Sequence, residues 1–294
     1  MSPQSISIII PAARSEMLSQ ILDALAQQRG ETAVIETWIV CNEDKLSMMP
    51  QTSDPTVRLL PVASNMKAPA RRNAGMNVAQ GDIFLFLDDD CIPTSGLIQR
   101  HLHGHQQGKS VLGGSVIFPK RPYLQLADNV SAFHDLLPFT QAGIRPYLVT
   151  ANMSVQRHVV EDVGPMCPDL ARADDLEWTA RFRAHGYCLH FDPQAAVWHL
   201  PPRHTWQALW QHWVGDAPDT IRVRLACATM LKTPSLASHR PIFLWGMPLI
   251  ALWATARTFN HWQTWQQYWH TLPVVYLTKM AWCLSAYKHF PMAE

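Results

Sequence analysis

The stretch GDIFLFLDDDCIPTSG, from Gly81 to Gly96, decides how this 294-residue chain is interpreted. Its apolar run IFLFL has the length of a buried strand and leads directly into three carboxylates, Asp88, Asp89 and Asp90. Carboxylates this close raise one another's pKa unless a cation compensates their charge. The cluster is therefore either a solvated acidic loop or a place where positive charge is bound.

Segments of strand type alternate with segments of helix type around this stretch. The predicted strands are Ser5–Ile10, Ala33–Val40, Val57–Val62 and Ile83–Leu87, with two short later strands at Cys188–Phe191 and Ala195–His199. An amphipathic helix that begins near a possible cap at Ser15 separates the first two strands. This alternation predicts an α/β layer with a mostly parallel sheet. Such sheets bind ligands at the carboxyl ends of their strands, where the three carboxylates lie.

Composition places the chain among globular proteins. Hydrophobic residues make up 48% and the formal net charge is +1, which excludes disorder and gives no reason to expect a nucleic-acid partner. The six cysteines form no CxxC pair and are typical of reduced thiols. The first residues contain no basic region of a signal peptide. We expect a cytoplasmic protein.

The last third of the chain differs in composition from the rest. Nine of the twelve tryptophans lie between Leu200 and Glu294, and this span has eight Lys or Arg residues against three acids. The pair Pro201–Pro202 precedes the change. These features predict two domains, residues 1–203 and a helical, Trp-rich region at residues 204–294.

The three carboxylates offer ligands for a hard cation. Side chains alternate along an extended chain, so Asp88 and Asp90 point one way and Asp89 the other. Two carboxylates on one side suit a divalent cation that also binds phosphate oxygens. For an isolated acidic triplet, a solvated loop is the better interpretation, so the surroundings decide between the two.

Those surroundings contain an ordered set of further motifs. In sequence order the set is IIIP, KAPARRNAG, GDIFLFLDDDCIP, VLGG, TANMSV, ARADDLEWTARFRAHGY and AAVWH. It resembles family 2 glycosyltransferases of the GT-A fold, over residues 5–200. The resemblance implies a Rossmann-like mixed sheet with flanking helices, typical of nucleotide-diphospho-sugar transferases. The predicted C-terminal helical region follows it.

The resemblance implies a reaction and its principal residues. Asp88 and Asp90 form a DXD motif that holds Mg²⁺ or Mn²⁺ against the diphosphate of a nucleotide-sugar, and the cation neutralises charge on the leaving group. Asp175, in the pair Asp174-Asp175, is the general base that takes the proton of the acceptor hydroxyl, with inversion at the anomeric carbon. The alternative is that this pair merely complements a helix dipole.

The resemblance also implies a donor pocket. Its residues are Pro11, Asn42, Lys67, Arg72, Asn73, Asp88 and Asp89. Cations facing a diphosphate make physical sense, and a solvated helix face is the alternative for one of Arg71 and Arg72. His199 corresponds to a histidine that approaches the metal or the phosphates, and a structural histidine is the alternative.

The chain departs from the family pattern at two places. The second strand ends in Asn42, Glu43 and Asp44 instead of Asp-Asp-Gly-Ser, which leaves uridine specificity open. After Pro11, the segment Ala12–Arg14 replaces Thr-x-Asn. Two further segments are set aside: Gly104–Ser110 is one residue short of a phosphate-binding loop, and the histidines of His101–His105 are expected at the surface.

The Trp-rich region suggests contact with a membrane. Pro241–Ala256 lacks charged residues but is shorter than the roughly 20 residues of a spanning helix, and it contains Pro248. Tryptophans beside Lys and Arg suit helices that lie in the membrane interface. The alternatives are packing onto the catalytic domain and a dimer interface. A glycan or lipid-linked acceptor, at the inner face of the cell membrane, fits this interpretation by analogy.

We therefore predict an inverting, metal-dependent glycosyltransferase, with a role in cell-envelope polysaccharide or glycolipid synthesis. A nucleotidyltransferase of similar fold would need a glycine-rich loop after the first strand, and the segment PAARSEML has no glycine. A catalytically degenerate membrane-associated scaffold is the non-enzymatic alternative, because of the departures at Ala12–Arg14 and Cys41–Asp44.

Overall fold

The computed structural model describes residues 5–28, 34–231 and 240–290. The strands are β1 (Ile6–Ala12), β2 (Val34–Asn42), β3 (Val57–Val62), β4 (Ile83–Leu87), β5 (Cys91–Pro93), β6 (Val111–Ile117), β7 (Gly143–Ile144), β8 (Asn152–Gln156) and β9 (Leu189–His199). The helices are α1 (Leu18–Ala26), α2 (Ala68–Val78), α3 (Leu97–Gln106), α4 (Tyr123–Phe133), α5 (Arg157–Val163), α6 (Asp174–Ala184), α7 (Trp206–Ala226), α8 (Ala228–Leu231), α9 (Arg240–Thr258), α10 (Trp262–Tyr268) and α11 (Leu272–Lys288).

The strands form one mixed sheet in the order β3-β2-β1-β4-β8-β6-β9-β5, with β7 paired to β9. The first four strands in this order are parallel, whereas β8 runs antiparallel to both β4 and β6. Helices connect the parallel strands. The predicted α/β fold, with a mixed sheet, flanking helices and a C-terminal helical region, is confirmed.

The parallel half of the sheet brings distant residues to one edge. Because β1, β2 and β4 are parallel, their carboxyl ends meet there. The residues at these ends are Ala13 and Arg14 after β1, Asn42 at the end of β2, and Asp88 after β4. This edge therefore collects the polar side chains that the sequence placed after separate strands.

Helix α2 approaches this sheet closely because it carries a glycine. A Cβ atom on Gly75 would lie 2.6 Å from Cγ2 of Ile9 in β1 and 3.2 Å from a methyl group of Val40 in β2. Any larger residue would push α2 away from the sheet. The glycine therefore fixes the distance between the sheet and the arginines on α2.

Two local predictions were wrong, and a third lies partly outside the described residues. Cys188–Phe191 and Ala195–His199 belong to one strand, β9, whose pairing with β6 shifts register between Gly114 and Ser115. Helix α1 begins at Leu18 with Met17 at its cap position, so Ser15 does not cap it. Strand β2 is described from Val34, and the predicted first residue Ala33 lies outside the described residues.

The prediction that the histidines of His101–His105 lie at the surface was wrong for two of them. His101 and His105 are buried on α3, and Gly104 lies inside the same helix, so the segment from Gly104 does not form a phosphate-binding loop between a strand and a helix. Both rings contact Oγ of Ser154 at 2.7 Å, and Nε2 of His101 lies 2.9 Å from Oδ1 of Asn152. Burial lowers the pKa of His101 to about 4 and that of His105 to about 3. Helix periodicity places both on the face that packs against the sheet.

The chain forms two compact units. The sheet unit comprises Met1–Ile117 and Gln141–Trp198, and the helical unit comprises Phe118–Thr140 and His199–Glu294. Helix α4 thus belongs to the helical unit, although it precedes residue 203. The division into domains 1–203 and 204–294 stays a prediction. Within these ranges, residues 1–4, 29–33, 232–239 and 291–294 lie outside the described residues.

The helical unit has its own apolar core. One cluster joins α7, α9 and α11, and another joins α4, α7 and α11. Helix α9 continues through Pro248, which therefore does not end it. Among the described helices none is by itself long and apolar enough to cross a membrane. One pair, Arg240–Thr258 and Trp262–Lys288, meets the length and composition criteria jointly, with a bend of 100° between its members.

Candidate active site

Two arginines supply the positive charge that the carboxylates after β4 require. Nη2 of Arg72 lies 2.6 Å from Oδ1 of Asp88, and Nη2 of Arg14 lies 2.8 Å from Oδ2 of Asp90. The Asp88 side chain is 31% exposed, whereas those of Asp89 and Asp90 are buried. Buried carboxylates need such partners to stay ionised. The acidic triplet is thus a compensated cluster and not a solvated loop.

The predicted alternation of the three carboxylates is wrong, because residues 88–90 form a turn in which Asp89 and Asp90 both contact Arg14 while Asp88 contacts Arg72. Asp89 anchors the loop after β1. Its Oδ2 accepts hydrogen bonds from the backbone N–H of Ala13 at 2.7 Å and of Arg14 at 2.8 Å, and its Oδ1 pairs with the Arg14 guanidinium. These bonds attach the loop after β1 to the end of β4. The structure gives Asp89 this anchoring contact, and its predicted contact with the donor stays a prediction.

The loop after β1 is held from two further sides. Nη1 of Arg71 donates to the carbonyl of Ala12 at 3.1 Å, and Nζ of Lys45 donates to the carbonyl of Ala13 at 2.7 Å. Arg71 is buried on α2, so it is a structural residue and does not lie on a solvated helix face. The backbone of residues 12–14 is consequently fixed both from the segment that follows β2 and from α2.

Arg72 brings the carboxylate after β4 to the carboxylates of α6. Its Nη1 lies 2.8 Å from Oδ2 of Asp174, while its Nη2 binds Asp88. Burial lowers the pKa of Arg72, but the charges of Asp88 and Asp174 raise it by more, so the guanidinium remains cationic. Acidic residues that are far apart in the sequence therefore meet around one buried cation.

Asp175, the second residue of α6, lies in an environment suited to proton transfer. Its Oδ1 accepts a hydrogen bond of 2.7 Å from the backbone N–H of Leu176, and the side chain is partly exposed. Burial, followed by the charge of Asp174, raises the pKa of Asp175 to about 7, while Arg72 opposes this change. A carboxylate with this pKa is well matched to a general base at neutral pH.

An unusual backbone conformation sets the direction in which α6 starts. Ala173, at its cap position, has φ 57° and ψ 17°, and it is the one non-glycine with positive φ among the described residues. This left-handed conformation costs an alanine roughly 1–2 kcal/mol. Such strain at the start of the helix that carries Asp175 is typical of a functional position.

Helix α6 is attached to the rest of the sheet unit by specific contacts. The indole N–H of Trp178 donates to the carbonyl of Gly164 at 3.0 Å, and its ring meets that of Phe86 on β4 edge-on at 5.7 Å. The amide of Asn73 exchanges two hydrogen bonds with the backbone of Met166, at 2.8 and 3.0 Å. Asn73 therefore positions the segment before α6, a role that the sequence did not predict.

The remaining predicted donor residues lie at or near the same edge. Pro11 is buried in β1 opposite Val40. Asn42 donates to the carbonyl of Ser64 at 2.9 Å, and its Oδ1 accepts from Arg71 at 3.3 Å. Lys67 is exposed and binds the carbonyl of Asp169. Their contacts with a nucleotide-sugar stay predictions.

His199, the predicted metal ligand at the end of β9, is buried within the helical unit. Its Nδ1 lies 2.7 Å from Oδ1 of Asn129, and its ring packs edge-on against Phe133 with 4.8 Å between ring centroids. Both contacts attach the His199 ring to side chains of α4. A role as metal ligand stays a prediction.

Comparison with known proteins assigns a family to this arrangement. The chain matches the family described as Glycosyltransferase like family 2 over residues 3–214, which is most of its length. The chain belongs to this family. The glycosyltransferase is 28% identical over 193 residues to the glycosyltransferase AglE of Haloferax volcanii, a match that covers 63% of this chain and 64% of AglE. The chain thus matches less than two thirds of that relative's length.

Solved structures confirm the GT-A fold of this glycosyltransferase. It superposes on the mannosyltransferase PcManGT from Pyrobaculum calidifontis, in complex with GDP-Man and Mn²⁺, with a TM-score of 0.62 and 14% identity over 97% of this chain and 88% of the other. For GalNAc-T7 with UDP, GalNAc and Mn²⁺ the TM-score is 0.59, with 12% identity over 76% and 48% of the two chains. For residues 1–349 of S. aureus TarS it is 0.52, with 11% identity over 97% and 90%.

Two features of the site escaped the sequence analysis. Arg14 was noted as a departure from the family pattern, but its pairing with Asp89 and Asp90 was not predicted. The strained Ala173 was not noticed either. The signal for the pairing of Arg14 was its position directly after β1, a strand that is parallel and adjacent to β4.

Proposed function

We propose that this glycosyltransferase is an inverting, metal-dependent enzyme that moves a sugar from a nucleotide-diphosphate sugar to an acceptor hydroxyl. The observation that carries the proposal is the position of Arg72, which binds Asp88 at one end of its guanidinium and Asp174 at the other. This bridge brings the DXD motif and the start of α6 into one site. The Mn²⁺ and nucleotide ligands of PcManGT and GalNAc-T7 support the choice of cofactor and donor.

The carboxylates after β4 are suitable ligands for a hard divalent cation. Asp88 and Asp90 offer carboxylate oxygens, which is the ligand type that Mg²⁺ and Mn²⁺ prefer. When bound, the cation supplies charge neutralisation for the diphosphate leaving group. Arg72 and the exposed Lys67 add positive charge on the side of α2, where they would favour binding of the donor diphosphate.

Asp175 is the proposed general base. The acceptor oxygen forms a bond to the anomeric carbon while the bond from that carbon to the diphosphate breaks, and the acceptor proton passes to the Asp175 carboxylate. The leaving group departs as a nucleoside diphosphate, and in-line attack inverts the anomeric configuration. Because the Leu176 N–H holds Oδ1 of Asp175, the carboxylate has a fixed orientation, and Oδ2 is the oxygen proposed to take the proton. A positioned base accelerates such a step by about 10²- to 10⁴-fold.

Donor binding tests this proposal before an acceptor is known. Isothermal titration calorimetry with GDP-mannose, UDP-GalNAc and UDP-glucose, each with and without Mn²⁺, should reveal one donor whose binding needs Mn²⁺. Asp90→Asn should abolish the Mn²⁺-dependent part of that binding, whereas the control Asp23→Asn, on the exposed face of α1, should preserve it. Donor binding that is equally tight without Mn²⁺ and in Asp90→Asn would contradict the proposed role of the cation.

We further propose that the enzyme works at the inner face of the cell membrane, on a glycan or lipid-linked acceptor. Helix α9 exposes apolar side chains at a spacing of four, with Trp245 85%, Leu249 70% and Trp253 51% exposed, and α10 exposes Trp262 by 69%. This spacing places the α9 residues on one stripe. Exposed tryptophans on a helix are suited to the interface between lipid head groups and acyl chains.

Charge supports a lipid surface as the partner of this stripe. From Arg240 to Lys288 the sequence contains four Lys or Arg residues and no Asp or Glu. The Arg257 guanidinium lies 5.2 Å from the ring centre of Trp253, so a cation accompanies the exposed aromatic surface. Anionic lipid head groups would be attracted to such a surface, by about 1 kcal/mol per basic residue near the membrane.

Vesicle flotation tests the membrane proposal. The protein should float with vesicles that contain anionic phosphatidylglycerol and much less with phosphatidylcholine alone, and the double variant Trp245→Ser/Leu249→Ser should lose most binding. Met48→Ser, which removes a 61%-exposed apolar side chain of the sheet unit, is the matched control and should bind like the unmodified protein. Equal binding of all three proteins, or a stable dimer that the double variant disrupts, would contradict it.

A further inference from the structure

Arg14 occupies a position where the family pattern has a polar, uncharged residue, and its guanidinium lies among the carboxylates after β4. Its Nη2 lies 2.8 Å from Oδ2 of Asp90, and the same nitrogen also pairs with Oδ1 of Asp89. Its Nε lies 3.2 Å from that oxygen of Asp89. One side chain thus binds two of the three adjacent carboxylates.

The backbone of Arg14 cannot move away from these carboxylates. Its own N–H and that of Ala13 donate to Asp89, and the carbonyl of Ala13 is held by Lys45. The Arg14 side chain, in contrast, is 34% exposed. The guanidinium can therefore leave Asp90 for solvent by rotation of the side chain alone, while the loop stays in place.

Charge accounts for the presence of Arg14 when no other cation is bound. The side chain of Asp90 is 7% exposed, and a buried carboxylate without a cationic partner is strongly destabilising. A divalent cation bound through Oδ2 of Asp90 would compete with Nη2 of Arg14 for the same oxygen. Two cations at one carboxylate oxygen also repel each other.

We propose that Arg14 is a tethered counter-ion that neutralises Asp90 when no divalent cation is bound, and that cation binding requires Arg14 to release this carboxylate. The inference rests on the proposed metal site at Asp88 and Asp90. It makes Arg14 the residue that sets how tightly the site holds its cation, and it gives the departure from the family pattern after Pro11 a function.

Binding of Mn²⁺ alone, measured by electron paramagnetic resonance of the free ion and by calorimetry, tests this without an activity assay. Arg14→Gln should bind Mn²⁺ about 10- to 100-fold more tightly than the unmodified protein, which corresponds to the loss of one or two charge-assisted hydrogen bonds that compete with it. Arg14→Lys keeps the charge but loses the two-pronged geometry, so it should show an increase of a few fold. The double variant Arg14→Gln/Asp90→Asn should lose the gain, because it removes the carboxylate over which the two cations compete.

Arg58→Gln is the matched control. Arg58 also pairs with a buried carboxylate, that of Glu36 at 3.4 Å, and its loss changes the net charge by the same amount. Its Mn²⁺ affinity should equal that of the unmodified protein. Near-ultraviolet circular dichroism establishes whether each variant is folded. If Arg14→Gln is not folded, the Mn²⁺ affinity of Arg14→Lys tests the proposal instead.

The outcomes separate this inference from the proposed function. If the unmodified protein binds Mn²⁺ through Asp90 and the affinity of the Arg14 variants is unchanged or weaker, the counter-ion role is wrong while the metal site stands. An equal gain in Arg58→Gln would also overturn it, because the effect would then be one of net charge. If no variant binds Mn²⁺ at all, both the inference and the metal-dependent function are wrong.

Discussion

The Nη1 atom of Arg72 lies 2.8 Å from Oδ2 of Asp174, although 102 residues separate the two in the sequence. Arg72 is buried on α2, and Asp174 is the first residue of α6. Since the other end of the same guanidinium binds Asp88, this contact fixes α6 relative to the carboxylates after β4. The geometry of the site depends on this one side chain.

Replacement of Arg72 should be strongly destabilising. Arg72→Met leaves the buried Asp174 and the partly buried Asp88 without their cation, so the free energy of unfolding should fall by about 3–5 kcal/mol in urea titrations. Arg58→Met, which removes a more exposed partner of Glu36, should cost about 1 kcal/mol or less. Equal costs for the two variants would mean that the Arg72 bridge is not a major source of stability.

The dependence of activity on pH should report the Asp175 carboxylate. A base must be deprotonated to act, so kcat/KM should fall about tenfold per pH unit below about pH 7, where the pKa of Asp175 lies. Asp174→Asn removes the neighbouring negative charge and leaves Arg72 in place, so the acidic limb of the profile should move to lower pH. A limb that stays in place or moves to higher pH in this variant would exclude Asp175 as the titrating group.

Acid should destabilise the sheet unit through its buried histidines. In the unfolded chain, each imidazole takes up a proton near pH 6.5, whereas the folded pKa is about 4 for His101 and about 3 for His105. The unfolded state therefore binds more protons below pH 6.5, and this stability is present above that pH and lost as pH falls toward 4. The loss between pH 7 and pH 5 should be roughly 2 kcal/mol per histidine.

Urea unfolding at the two pH values measures this loss. The charged and titratable groups that face the pair are Asp192, Lys109 and His158, and only Asp192 favours protonation. His105→Gln should reduce the pH dependence, whereas His103→Gln, on the exposed face of the same helix, should leave it unchanged. The same pH dependence in both variants would contradict the assignment to the buried pair.

Ala173→Gly should stabilise the protein. Glycine adopts the φ of 57° without the steric cost that alanine bears, and this gain exceeds the greater entropy that glycine loses on folding. We expect a rise of about 0.5–1 kcal/mol in the free energy of unfolding. Ala180→Gly, inside α6, should instead lower it by about 1 kcal/mol or more. A loss of stability in Ala173→Gly would show that the conformation is not strained.

The sequence was informative wherever local pattern and strand order were sufficient. The apolar run before Asp88 and the alternation of strands with helices predicted the parallel half of the sheet and the edge where polar residues collect. Strand periodicity did not extend past Leu87, because a turn there brings Asp89 and Asp90 to the same arginine, and the predicted opposite orientation of Asp89 was wrong.

The contacts that join distant segments could not be predicted from the sequence. The pairing of Arg14 with Asp90 and of Arg72 with Asp174 depends on which strands are neighbours and on how closely α2 packs at Gly75. The burial of His101 was missed because its partner Ser154 lies on β8, 53 residues later. The single strand β9 was read as two because its register shift resembles a break in the pattern.

The most direct measurement of the central claim is single-turnover sugar transfer by Asp175→Asn, alongside calorimetric donor binding by the same variant. Transfer from the donor identified by calorimetry should fall by at least about 10²-fold, with Mn²⁺-dependent donor affinity retained. Glu177→Gln, which alters a partly exposed carboxylate on the same helix, should retain transfer. Transfer at the unmodified rate by folded Asp175→Asn would show that Asp175 is not the general base.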